Sequence, residues 1–345
     1  MKTSAMATGK VEGRTARRPA AAMILMAFLV PGFFLAGCSD DDCLNCVDVP
    51  APVVPTGVHS ISGDGYVIVQ WHDLVYPPYD GSYNESLVAY EVYRRDYEFG
   101  DENDPDRLFD PTPIAVVPWN ENYDPGTGLH RYDDENVFNG LQYEYAVASV
   151  NAAGVRSALS FEFVVDAPLP MSPLDSQGWF VPLPVYDANA QGATAFGFEF
   201  RRAALSPQIL AAGRVTPGVE VTVADIEVFF NGGVPYVRRG ASHVELQDMG
   251  DFSDSAGNLY FEAVGWAPAR GYSATGTLEL VAGHVYVVKI SGSGGDHYAK
   301  FGVDSIGAGL VNLVWAYQLI ANLPELSAPA GDDAQADDGP RFISL

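Results

Sequence analysis

Short runs of alternating apolar and polar residues, separated by Gly, Asn, Asp and Pro, occupy most of this chain from about residue 53 to residue 323. A period of two places one face of a strand in a core and the other in water. Tyr66–Trp71 alternates and ends on its tryptophan, and Leu87–Arg94 sets Val88, Tyr90 and Val92 against Ala89, Glu91 and Tyr93. Tyr143–Asn151 is a third such run, followed by a turn at Ala152-Ala153-Gly154, and Leu159–Val165 closes the set. Further along, Ala195–Phe200 and Val219–Phe230 read as strands, the latter ending at a turn at Asn231-Gly232-Gly233. His284–Ile290 and Tyr298–Val303 flank a Gly-rich hairpin, and Leu310–Leu319 carries Val311, Leu313, Trp315 and Tyr317 on one face. No stretch between the proline-rich segments keeps a helical period. The pattern predicts an all-β chain, an antiparallel sandwich followed by a second antiparallel β domain.

Composition divides the chain further. Val47–Thr56 holds Pro50, Pro52 and Pro55, and Ala167–Pro173 holds Pro168, Pro170 and Pro173; both read as extended linkers. After Leu323 the sequence turns to Ala, Gly, Pro and Asp, including Asp332, Asp333, Asp337 and Asp338, the composition of a disordered tail. The predicted boundaries are a signal at 1–37, an acidic stalk at 38–52, β domains at 53–166 and 174–323 joined by a linker at 167–173, and an acidic tail at 324–345.

The first segment carries an address. Lys2, Lys10, Arg14, Arg17 and Arg18 precede an apolar run from Ala20 to Phe34, broken by Pro31 and Gly32, and then Leu35-Ala36-Gly37-Cys38. That order reads as an export signal, since a spanning helix needs roughly 20 apolar residues. Leu-Ala-Gly-Cys resembles the bacterial lipobox, which implies that Cys38 is lipidated and becomes the first residue of the mature chain. The alternative is an ordinary cleaved signal with a cysteine nearby. Lipidation by more than one acyl chain, at about 0.8 kcal/mol per buried CH₂, would hold the protein on a bilayer. Ser39-Asp40-Asp41-Asp42 resembles the surface-export signals of some bacterial lipoproteins and equally suits a solvated spacer. The expected location is the bacterial cell envelope, lipid-anchored at the outer membrane, with surface exposure left open.

The chain has a net charge of −25; residues 1–37 contribute five Lys/Arg and one Glu, a net +4, so the remainder stands near −29. Such a field repels nucleic acid. With Cys38 acylated, Cys43 and Cys46 remain, and in an oxidising compartment a local disulfide is the expected state. A zinc or redox role for Cys43-Leu44-Asn45-Cys46 lacks a second ligand pair.

Several runs in the first β domain resemble fibronectin type III: Pro55-Thr56-Gly57-Val58, Trp71, Tyr90-Glu91-Val92-Tyr93-Arg94, and Gly140-Leu141 through Tyr143, Tyr145 and Val147 to Asn151 and Gly154. The resemblance implies that Tyr143 caps a loop through its hydroxyl. Two insertions depart from it, His72–Ser86 and Asp96–Pro113. Tyr76-Pro77-Pro78-Tyr79-Asp80-Gly81-Ser82-Tyr83 would suit contact with sugar or protein, and the acidic run from Tyr97 to Asp110 lacks the spacing of a calcium loop. Both also read as solvated loops.

The second β domain resembles the HmuY-like haem-binding lipoproteins in its Asp225–Gly233 strand and turn, the hairpin ending in His297-Tyr298-Ala299-Lys300-Phe301, and the closing Trp315-Ala316-Tyr317-Gln318. That resemblance implies a haem ligand, held by one or two axial residues in an apolar slot. His243 and His284 are the candidate axial pair, whereas His297 lies in an expected turn beside Gly295 and Asp296. Ordinary surface histidines are the competing reading. The chain has no Gly-x-Ser-x-Gly elbow, phosphate-binding glycine loop or His-Glu-x-x-His, so catalysis is not expected. The sequence thus predicts a non-catalytic lipoprotein that binds a ligand such as haem through its C-terminal domain. The alternative is a structural or adhesive protein that meets glycan or an outer-membrane protein through its fibronectin-like loops.

Overall fold

The first half contributes β1 (His59–Ser62), β2 (Val67–His72), β3 (Leu87–Tyr97), β4 (Ala115–Pro118), β5 (Tyr123–Asp124), β6 (Leu129–Asp134), β7 (Gln142–Asn151) and β8 (Val164–Asp166). This is a computed structural model, and it describes residues 50–73, 87–97, 109–190, 197–205 and 224–327. The strands form two antiparallel sheets in the orders β1-β2-β6-β5 and β4-β3-β7-β8. Val67, Val69 and Trp71 meet Tyr90, Val92, Tyr145 and Val147 in one core, as the alternation predicts, whereas Val88 is exposed and Leu87 takes the core side because a β-bulge between Leu87 and Ala89 shifts the register. The Tyr143 hydroxyl accepts the Phe138 amide at 3.1 Å and holds the loop before β7, as the fibronectin-type resemblance implied. The sandwich is fibronectin type III-like.

The predicted strand Leu159–Val165 is shorter than expected, because only Val164–Asp166 pairs with β7. Upstream, the Ser157 and Ser160 hydroxyls accept the Ser149 and Val147 amides at 3.0 and 3.1 Å, alongside main-chain bonds from their own amides. Serine side chains there replace part of a regular ladder.

The second half contributes β9 (Leu183–Tyr186), β10 (Gly197–Phe198), α1 (Phe200–Leu205), β11 (Ile226–Asn231), β12 (Val234–Arg239), β13 (Val244–Asp251), β14 (Thr277–Glu279), β15 (His284–Gly292), β16 (Gly295–Gly307) and β17 (Leu310–Tyr317). Its sheets run β10-β11-β12-β14 and β13-β15-β16-β17-β9. The expected strand Ala195–Phe200 gives way to a helical turn at Phe200, and its residues 195 and 196 lie outside the described residues. Asp225 accepts the Phe200 amide at 2.9 Å, which satisfies one of the free donors at the helix start. Residues 219–223 of the expected strand before β11 lie outside the described residues.

The five-stranded sheet is covered on both faces. Tyr286, Val288, Phe301, Val311, Leu313, Trp315 and Tyr317 face the four-stranded sheet. Val285, Val287, Val314 and Ala316 face a second cluster built from Leu169, Met171, Phe261, Val264 and Leu326. Double-sided burial explains why β15 and β17 are apolar almost throughout.

Two segments depart from the sequence expectation. Residues 167–173 are not an exposed linker: Ala167 to Ser172 is buried. Tyr317 donates to the Pro170 carbonyl at 3.0 Å, and Ser172 donates to Trp315 at 2.8 Å. The prolines lack N–H groups that would need partners, and Leu169 and Met171 between them bury against β17, so proline density did not mean solvent. Likewise Pro324–Ser327 is not a disordered tail. Trp266 and Glu325 form a β-bridge, Leu326 donates to Gly265 at 2.7 Å, and Leu326 is fully buried. The described residues after Val49 accordingly form one compact unit.

Candidate functional site

The two candidate axial histidines lie at opposite ends of one ladder. β13 pairs with β15 so that Val244 faces Ile290 and Asp251 faces His284. His243 precedes Val244, is exposed, and its carbonyl accepts the Ser291 amide. Seven residues of strand separate the pair, about 23 Å at about 3.3 Å per residue. His243 and His284 therefore cannot clamp one haem, and the expected pair is corrected. His284 instead meets both carboxylate oxygens of Asp248, at 3.0 and 3.1 Å. His297 approaches the Gln318 carbonyl at 3.2 Å and stacks on Tyr317. Among the described residues, no group of three His, Cys, Asp or Glu is placed to hold a metal. Cys38, Cys43, Cys46 and the Tyr76–Tyr83 insertion lie outside the described residues. Of the second insertion, Phe109 packs 4.3 Å from the Arg95 guanidinium and meets Phe163 edge-on.

The densest buried polar chemistry sits where the two sandwiches join. Asp166 ends β8, Ser60 and Ser62 lie on β1, and Glu325 reaches in from the strap after Leu323. The Ser62 Oγ is 2.6 Å from Asp166 Oδ1 and 3.2 Å from Glu325 Oε1. The Ala167 amide donates to Glu325 at 3.4 Å, and Ser60 bonds Asp166. Asp166 is wholly buried and its Oδ2 has no partner among the described residues. Burial raises the Asp166 carboxyl to about 6. It raises Glu325 well above the usual carboxylate range, with the Asp166 charge as the second cause.

A buried lysine faces the other end of the same strap. Lys300 projects from β16 into the second cluster, and its Nζ donates to the Phe261 carbonyl at 2.9 Å, the Val264 carbonyl at 3.0 Å and the Ser327 hydroxyl at 2.9 Å. The Phe261 ring centroid is 4.4 Å away. Burial lowers this amine to about 7, opposed by the charge of Glu262. Three acceptors match the three donors of an ammonium, which offsets part of the cost of burying its charge.

The loop end of the first sandwich holds a further group that the sequence reading passed over. The fully buried His130 on β6 lies opposite Trp71 in register and stacks on its indole at 5.8 Å, with Tyr90 at 4.6 Å and Tyr123 at 5.1 Å. Its Nε2 is 3.3 Å from Asp73. The signal was the alternation His130, Tyr132, Asp134, whose polar members hid a strand.

No family model matches the chain. An amylopullulanase from Thermoanaerobacterium saccharolyticum is 30% identical over 117 residues, which is 34% of this chain and 7% of that protein. The chain thus spans a small fraction of that relative's length. Among solved structures, the FN1–FN3 domains of chicken CNTN1 align at 11% identity over 81% of this chain and 66% of theirs, with a TM-score of 0.28. A DUF4466-family protein from Parabacteroides merdae aligns at 10% identity over 79% of this chain and 95% of its own, with a TM-score of 0.31. Scores at this level carry no argument about what the chain does.

Proposed function

We propose that this chain is a lipid-anchored protein of the bacterial cell envelope that acts by binding rather than by catalysis. One observation carries the reading: Leu35-Ala36-Gly37-Cys38 follows a basic segment and a short apolar run. The resemblance of the C-terminal half to HmuY-like proteins supports the outer-membrane lipoprotein address. It does not supply a cargo, because the histidine pair that would have held haem is split across a ladder. The fibronectin type III-like sandwich supports a role in contact, with its loops as the contact surface. Expressed at full length in a bacterium, the protein partitions into the detergent phase and incorporates an alkyne-tagged fatty acid, and Cys38→Ser loses both. A Cys38→Ser protein that keeps its label would overturn the reading.

The 117-residue likeness to an amylopullulanase favours one more specific version, in which the ligand is a glycan held by the fibronectin-like loops. Affinity electrophoresis tests it: the protein is retarded in gels containing pullulan or amylose, and equal mobility with and without polysaccharide contradicts it.

A further inference from the structure

The strap Pro324–Ser327 reaches both sandwiches at once. Its backbone pairs with residues 265–267 of the second, while the Glu325 side chain enters the first between Ser62, Asp166 and Ala167. A serine hydroxyl has one proton, and Ser62 lies within bonding distance of two carboxyl oxygens. Ser62 donates over the shorter contact, to Asp166. The longer contact is then satisfied only if Glu325 carries a proton and donates it to Ser62 Oγ. The resulting chain, Glu325 to Ser62 to Asp166, uses every available proton and leaves a single negative charge in the seam.

We propose that the strap is a proton-operated latch between the two sandwiches, closed while Glu325 is protonated and released when Glu325 ionises to solvent. Ionisation would put a second carboxylate beside Asp166 in a site where no cation of the described residues faces the pair, with one Asp166 oxygen without a partner among them. The groups facing the pair are Ser60 and Ser62 from β1, the Ala167 amide after β8, and Tyr145 from β7, which is held by Asp134 and, through it, Arg94. On the strap's own side, Gln318 donates to the Glu325 carbonyl. Lys300 with nearby Glu262 faces Ser327, not Glu325. The nearby charges therefore repel rather than hold an ionised Glu325. Release withdraws Leu326 from its cluster and Ser327 from Lys300.

Hydrogen exchange on the full chain tests the latch, read as protection factors at the Ala267 and Leu326 amides from pH 5 to pH 8. These amides bond Pro324 and Gly265 respectively, so they report strap docking. Protection falls by about tenfold or more as pH rises, while amides in the β3–β7 ladder stay protected. Glu325→Gln keeps a donor without a titratable proton, and its strap stays protected throughout. Asp166→Asn removes the repelling charge and also flattens the profile, so it decides the matter if the glutamine variant does not fold. A flat profile in the unsubstituted protein, or variants that follow its slope, overturns the proposal.

Discussion

Tyr143 and Lys300 show how single side chains can carry connections that no strand makes. The Tyr143 hydroxyl satisfies the Phe138 amide in a loop, so Tyr143→Phe leaves that donor unpaired and should cost about 1–2 kcal/mol in urea unfolding. Lys300 gathers three acceptors from two segments. Lys300→Met fills similar volume but strands those acceptors, and a loss of about 2–4 kcal/mol is expected by the same measurement. Its amine titrates low because of burial, so its contribution to stability is present above the unfolded value of about 10.5 and is lost as pH falls through about 7. The role of the tyrosine was legible only through the resemblance of its run to fibronectin type III. The lysine was legible only as part of a hairpin, since nothing local marks which segments it will meet.

Strands with sustained apolar residues were read well, including β15 and β17 with both faces buried, whereas irregular pairings were not. β2, β3 and β7 alternate because one side enters the sandwich core and the other carries polar or small residues, among them the Arg95–Glu144 pair. Strands β12 and β13 went unseen because polar residues interrupt their alternation. The serine-mediated edge before β8 and the cap of α1 by Asp225 depend on side-chain bonds to the main chain, which leave no periodic trace. Close backbone approaches are equally silent. At Gly240, after β12, an added Cβ would stand 1.8 Å from the Ala224 carbonyl oxygen. Gly240→Ala must therefore displace main chain and should cost about 2–3 kcal/mol, visible as a lower denaturant midpoint.

At the scale of the whole molecule, the seam turns two sandwiches into one unit. Its partners were illegible in the sequence because Ser62 and Glu325 are 263 residues apart. Proline and acidic composition also made the two connecting segments look solvated. The carboxyls of Asp166 and Glu325 are raised in the folded state, so their contribution is full below the unfolded values near 4; that of Asp166 is lost as pH rises through about 6, and that of Glu325 as pH rises through its own raised range. The urea midpoint should accordingly fall between pH 4 and pH 7, and Glu325→Gln should reduce that slope; an unchanged slope would place the sensitivity elsewhere. The address proposed for this unit rests on Cys38. Mass spectrometry of the N-terminal peptide from purified membranes tests it most directly. The account predicts a chain that begins at Cys38 and carries acyl chains on it. A chain that retains residues 1–37, or one that begins elsewhere with Cys38 unmodified or absent, would contradict the account.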